Sequence, residues 1–262
     1  MRGSEWFRVA EVDARDVDSG AYQLPESWEA VIVHDVYEAE FLDEVVKRLD
    51  RHDPPFVTTW FPKEFRAFFY GVNLTNIDPD PGHYFRESST VNRQINALFS
   101  PAESPIDRIP AILSELNGRR PIGVAPGRHL GEEYMFGTIR GHGEGGYIPP
   151  HFDARPLPDH LRSMVTNEVS SYVLMLGRPE GGGGLEVFRR MRPRQVADAT
   201  TLDGETSGVE SVTIELPVGS LITFDSSTFL HQVRPVQGTS TRWTLCSFMA
   251  PMQSGGDIVC WG

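Results

Sequence analysis

Apolar positions recur along this chain with two different periods, and the change of period falls near residue 118. In 36–49, Phe41, Val45 and Leu49 stand at four-residue steps with Leu42 and Val46 alongside, one apolar stripe of a helix. A second helix is expected within 86–100 around 91–99. A third, over 105–116, carries Ile106, Ile109, Ile112, Leu113 and Leu116 at helical spacing and stops at Asn117-Gly118. Between the first two, 54–62 and 68–71 are dense in aromatic residues and broken by proline, which rules out a long helix. Such a cluster can line a pocket, but packing is its commoner use. Residues 1–29 read as polar and turn-rich, leading into a short apolar strand at 30–34.

After Gly118 the alternation becomes that of strands: 133–140, 169–176, 185–188, 209–216, 220–224 and 242–249, each bounded by Gly, Pro or Asp, with glycine runs at 181–184 and 204–208 marking turns. Many short strands preceded by helices predict a mainly β protein with flanking helices, built on a double-sheet jelly-roll or barrel. The 262 residues suit one domain, with 1–120 as helical and strand support and 130–250 as the jelly-roll core.

Charge narrows the partners. A formal net charge of -12 without a basic stripe argues against nucleic acid, and the arginines at 189, 190, 192 and 194 read as a solvated loop. Cys246 and Cys260 form neither a CxxC pair nor a disulfide framework, no apolar run reaches the roughly 18 residues of a membrane span, and the first residues lack the halves of a signal peptide. The expectation is a cytoplasmic protein without a membrane or nucleic-acid partner, acting on a small molecule; oligomeric state is not legible.

The chemistry centres on Gly145-Gly-Tyr-Ile-Pro-Pro-His-Phe-Asp153. On an extended backbone His151 and Asp153 leave on the same face and can converge on one ion. An isolated His231 follows an apolar run 78 residues after Asp153. Two imidazoles and a carboxylate on one side of a metal suit a non-haem ferrous ion with positions left open; a buried, hydrogen-bonded His231 beside an unrelated His151–Asp153 turn is the bland alternative. Arg242 lies 11 positions after His231 on a strand, with Thr244 on the same face. An inward arginine needs an anion, either a carboxylate ligand held by two parallel hydrogen bonds or a structural carboxylate. Arg140 is either a second anion contact or the partner of Glu132, Glu133 or Glu144. His142 with Gly143-Glu144 reads as a glycine loop able to touch substrate. His34 reads as a strand-end residue, and His129 and His160 as loop residues. Asp225 either orients a histidine or opens a turn. The mixed polarity of 155–167 reads as a surface loop that moves as a lid.

In combination the elements 145–153, 181–188, 217–224, His231 with its following Val-x-Pro-Val, and Arg242-x-Thr244 resemble the jelly-roll ferrous, 2-oxoglutarate-dependent oxygenases, especially small bacterial hydroxylases similar to prolyl-hydroxylase domains. The resemblance spans about residues 130 to 250. It implies that His151, Asp153 and His231 hold Fe(II), and that Arg242, helped by Thr244, binds the distal carboxylate of 2-oxoglutarate, with O2 as the second cosubstrate and succinate and CO2 as coproducts. Hydroxylation of an unactivated C–H bond in a free amino acid or biosynthetic intermediate is the outcome it implies. Halogenating relatives replace the carboxylate ligand by a small residue so that halide can bind, so the presence of Asp153 disfavours halogenation. A cupin-type metal-dependent isomerase or dioxygenase without 2-oxoglutarate would use the same triad without the Arg242–Thr244 pair, and a non-catalytic jelly-roll binding protein would use neither.

Overall fold

A computed structural model of the chain describes residues 2–72, 74, 81–153, 157–192 and 206–262. In chain order the elements begin with strands β1 (Arg2–Ser4) and β2 (Phe7–Asp13), helix α1 (Ala14–Ser19), β3 (Ala30–His34), helix α2 (Ala39–Asp50), β4 (Thr58–Trp60) and β5 (Ala67–Tyr70). Helices α3 (Pro81–Phe99) and α4 (Pro105–Leu116) follow, then β6 (Ile122–Val124), β7 (Thr138–His142), β8 (Ile148–His151), the short α5 (Asp159–Met164) and β9 (Ser170–Gly177). The chain closes with β10 (Gly181–Gly182), β11 (Leu185–Met191), β12 (Ser211–Ile214), β13 (Leu221–Phe224), β14 (Phe229–Val233), β15 (Val236–Gln237), β16 (Arg242–Pro251) and β17 (Ile258–Trp261).

Two facing sheets make a jelly-roll. The larger runs β1-β2-β3-β13-β9-β16-β7-β5-β4, with β17 pairing β16 and β6; the smaller runs β12-β11-β14-β8. Pairing is antiparallel except for β2 with β3 and β17 with β6. The helices cover one face of the larger sheet. Helix α4 starts where Ser104 Oγ accepts from the Ile106 backbone N–H and Pro105 occupies a first-turn position that needs no donor; Ile109, Ile112, Leu113 and Leu116 form its buried stripe. From α2, Leu42, Val45 and Leu49 join the same core. A second, smaller core lies on the opposite side, where Ile222, Phe224 and Met175 of the larger sheet meet Val187 and Ile214 of the smaller one.

Strand β16 separates the two environments residue by residue. Trp243 and Leu245 point to the helix side, where Trp243 meets the rings of Phe68 and Tyr70 at 5.3 and 5.4 Å and its Nε1–H donates to Asp50 Oδ1 at 3.0 Å. Arg242, Thr244 and Cys246 alternate with them and face the other way.

Some expectations need correction, and others settle on one of their alternatives. Residues 1–29 are not merely turn-rich: Phe7, Val9 and Val12 are buried along β2, which pairs with β3 and extends the larger sheet. The helix expected within 86–100 begins at Pro81 and buries Tyr84 and Phe85 as well. The strand expected at 133–140 starts only at Thr138 and runs on to His142. Within 155–167, Asp159–Met164 is helical and carries His160 on it, while 155 and 156 lie outside the described residues. Asp225 takes the turn role, its Oδ1 accepting from Ser227 Oγ and the Thr228 N–H. The aromatic run at 54–71 packs: Phe56 stacks on Tyr70, and Phe69 meets Phe61 edge-on. In the arginine cluster Arg189 pairs with Glu210, and Arg194 lies outside the described residues. Among the described residues no helix is long and apolar enough to cross a membrane.

Candidate metal centre

The smaller sheet brings the separated histidines together. His151 ends β8 and stands directly opposite His231 of β14 in the register of that pair, so their rings lie 4.3 Å apart between centroids. Asp153 follows one turn residue later. Its Oδ1 lies 3.3 Å from His151 Nε2 and its Oδ2 3.5 Å from His231 Nε2, and the three ligand atoms all fall within 4.8 Å of one another.

Each imidazole is oriented by the same local device. His151 Nδ1 lies 2.8 Å from the carbonyl of Pro149, and His231 Nδ1 lies 2.9 Å from the carbonyl of Phe229, in each case two residues earlier on its own strand. A carbonyl only accepts, so Nδ1 must carry the proton and Nε2 presents its lone pair toward Asp153. Burial, and then the neighbouring His231, lower the pKa of His151, which favours that neutral form. Burial alone would raise Asp153, but the two facing imidazoles, when they carry a second proton, hold its carboxyl well below the usual range. The carboxylate is also fixed from behind. Ser171 Oγ donates to Asp153 Oδ2 at 2.7 Å and lies 2.6 Å from Ser226 Oγ, while the Asp153 N–H donates to the Ser226 carbonyl at 3.0 Å. Neither serine carried a sequence signal beyond being a hydroxyl at the start of an apolar strand or in a turn.

The triad opens into a cavity between the sheets that is continuous with solvent. Ile148, Ile222, Phe224, Val233 and Phe248 supply apolar wall; Arg140 and Arg242 supply its inward cations. Arg242 is 5% exposed, and among the described residues its Nε has no hydrogen-bond partner and no carboxylate lies within ion-pairing distance of it. Burial pulls its pKa down to about 10. Glu215, which acts on it electrostatically, is engaged by Arg178 at 3.4 Å. The glycine tract closes over this arginine: Gly183, at φ +70°, passes so near that a Cβ there would stand 2.8 Å from Arg242 Cδ.

Thr244 is buried directly opposite Arg140 across β16–β7. Arg140 forms no ion pair with Glu132, Glu133 or Glu144; its Nε donates to Thr138 Oγ1 at 3.0 Å. His142 is no part of a loop. It is the buried end of β7, opposite Arg242.

A jelly-roll that turns two histidines and a carboxylate toward such a cavity is that of a non-haem ferrous, 2-oxoglutarate-dependent oxygenase, an enzyme superfamily whose cosubstrates are 2-oxoglutarate and dioxygen. The donor set fits that ion, with two neutral imidazoles and one carboxylate on one side and no fourth ligand among the described residues. Within this superfamily the chain belongs to the carrier-protein-independent halogenase WelO5 family, whose model matches residues 11–262. Solved structures of similar fold include an N-substituted L-amino acid dioxygenase from Burkholderia ambifaria in complex with alpha-ketoglutarate, at 13% identity and TM-score 0.54, covering 95% of this chain and 90% of that one. Another is the epimerase SnoN in complex with Fe3+, alpha-ketoglutarate and nogalamycin RO, at 14% identity and TM-score 0.50, covering 84% and 78%. A Pseudomonas putida prolyl-4-hydroxylase matches at 17% identity and TM-score 0.43, covering 89% and 95%. No curated protein is matched by sequence.

Proposed function

We propose that the protein is an oxygenase that hydroxylates a C–H bond of a small molecule, an amino acid or biosynthetic intermediate, consuming 2-oxoglutarate and O2. In this reading His151, Asp153 and His231 hold ferrous iron. Arg242, with Thr244 beside it, receives the distal carboxylate of 2-oxoglutarate, and Arg140 adds a second cation to the same wall. Bound iron supplies the oxidation, in which one oxygen atom goes to succinate formed with CO2 and the other to the substrate C–H bond, giving C–OH.

The observation that carries the reading is the uncompensated Arg242 in the cavity of the triad. Burying a guanidinium without an acceptor costs several kcal/mol, about what a structural role would have had to offset with a protein carboxylate. A bidentate carboxylate ligand supplies that acceptor. The protein's other contributions are to keep both Nε2 lone pairs aimed at the metal, to hold Asp153 through Ser171, and to exclude water with the apolar wall around Phe224 and Phe248.

The family's name raises halogenation as a second reading. Asp153 argues against it, because its carboxylate takes the place at which a halide would bind the metal. Anaerobic titration of the Fe(II)-loaded protein with 2-oxoglutarate tests the main reading through the metal-to-ligand absorption band of the bound cosubstrate. Succinate release against a panel of amino acids then identifies the substrate class, and a hydroxylated product formed equally with or without chloride is expected. Metal binding without the absorption band would favour a cupin-type enzyme that does not use 2-oxoglutarate.

A further inference from the structure

A second group in the arginine's neighbourhood is also left without a partner. His142 is 1% exposed, and neither its Nδ1 nor its Nε2 has a hydrogen-bond partner among the described residues. It stands opposite Arg242 in the β7–β16 register, and the next pair on the same face joins Arg140 to Thr244. Backbone closes the patch from the β7–β8 turn, since a Cβ on Gly146 would meet the carbonyl oxygens of Gly143 and Arg66 at 2.7 and 2.8 Å and His142 Cβ at 3.1 Å. Burial, with the two guanidiniums nearby, lowers the pKa of His142 well below its ordinary value, so the ring is neutral and offers one N–H.

The His142 ring and Arg242 Nε thus stand together on one buried patch with no hydrogen-bond partner among the described residues. A carboxylate has about four lone-pair positions, and a guanidinium fork uses two of them, leaving room for another N–H. We propose that His142 is a positioning residue of the cosubstrate site, its neutral ring donating to the same distal carboxylate that Arg242 grips. The inference rests on the oxygenase reading above and extends it to a residue outside the arginine–threonine pair.

A neutral N–H donated to a carboxylate is worth enough that its loss weakens binding about tenfold or somewhat more. The test is anaerobic titration of 2-oxoglutarate into the Fe(II)-loaded wild type, His142→Leu, His142→Gln and Arg242→Ala, with the melting temperature of each metal-free protein measured alongside. Expected are a tenfold or greater loss of cosubstrate affinity in H142L, recovery of most of it in H142Q, and unchanged Fe(II) affinity in both. Metal-free H142L should melt at or above wild type, because it removes a buried polar group that has no partner until ligand binds. Unchanged cosubstrate affinity in H142L while R242A loses it overturns the role of His142 and leaves the oxygenase reading standing; unchanged affinity in R242A as well overturns both. Should H142L not fold, ring ¹⁵N resonances of wild-type protein loaded with Zn(II) decide, and a His142 signal unmoved by 2-oxoglutarate overturns the proposal.

Discussion

Ser171→Ala is the sharpest test of how the metal centre is built. The substitution removes one oxygen atom, in contact with Asp153 Oδ2 at 2.7 Å and Ser226 Oγ at 2.6 Å, and leaves the Asp153 backbone anchored through its N–H to the Ser226 carbonyl. A hydrogen bond to a charged acceptor contributes about 1.5–3 kcal/mol, and supports of metal ligands commonly account for about 10- to 100-fold in affinity. Both estimates converge on a loss of one to two orders of magnitude, since about 1.4 kcal/mol is a factor of ten. The protein should stay folded, but the metal-free form also loses this hydrogen bond and orphans the buried Ser226 hydroxyl, so its stability should fall by about 1.5–3 kcal/mol. The assay is anaerobic titration with Co(II), followed by its visible absorption, together with urea unfolding of the metal-free protein. Expected are a 10- to 100-fold weaker metal, a metal-free protein that is less stable but still folded, and rescue of both by Ser171→Thr. Metal affinity within twofold of wild type would refute the view that the serine holds the carboxylate in its working orientation. Weakened metal binding that Ser171→Thr does not restore would refute it too.

Other substitutions probe separate parts of the site. Asp153→Ala should abolish hydroxylation, read as product formation, while the protein still elutes and melts as a folded species. Arg242→Ala should raise the KM for 2-oxoglutarate by two orders of magnitude or more, in line with the loss of a bidentate charge-assisted pair, with little change in Fe(II) affinity. Gly183→Ala places a Cβ at φ +70° and 2.8 Å from Arg242 Cδ; a loss of about 1–2 kcal/mol of stability, by urea unfolding, should accompany weakened cosubstrate binding. Trp243→Phe removes the hydrogen bond to Asp50, and its expected cost of about 1.5–3 kcal/mol is checked by the same unfolding measurement.

Much of this site was legible because metal ligation demands particular side chains at particular spacings. The x between His151 and Asp153 sets one face of an extended strand, and the long interval to His231 is what a chain needs to cross the two sheets and return to pair β14 with β8. Strands such as β9 and β16 showed themselves as short, largely apolar runs bounded by turn residues. What stayed hidden is equally physical. Strand β2 was masked by Arg8, Glu11 and Asp13, although Phe7 and Val9 are buried on one face and Ala10 and Val12 on the other. Helix α3 starts on Pro81-Gly82, residues that by propensity argue against a helix interior, yet a proline costs nothing in a first turn. Ser171 and Ser226 are chemically unremarkable in sequence, and their role appears only when the fold sets them against Asp153. His142 looked like part of a glycine loop because three of its four following residues are Gly143, Gly145 and Gly146, whereas strand pairing with Arg242 draws it inward.

Strand β16 carries a consequence for how variation in this protein will spread. Its Arg242 faces the cavity while the adjacent Trp243 is pinned on the opposite side to the end of an outer helix, so Asp50 behaves as an indexing peg for the whole strand. Sliding the strand by a single residue would exchange an indole for a guanidinium inside the cavity. Changes at the exterior surface of α2, remote from any reacting atom, should therefore surface as altered cosubstrate requirement before they surface as loss of the folded state.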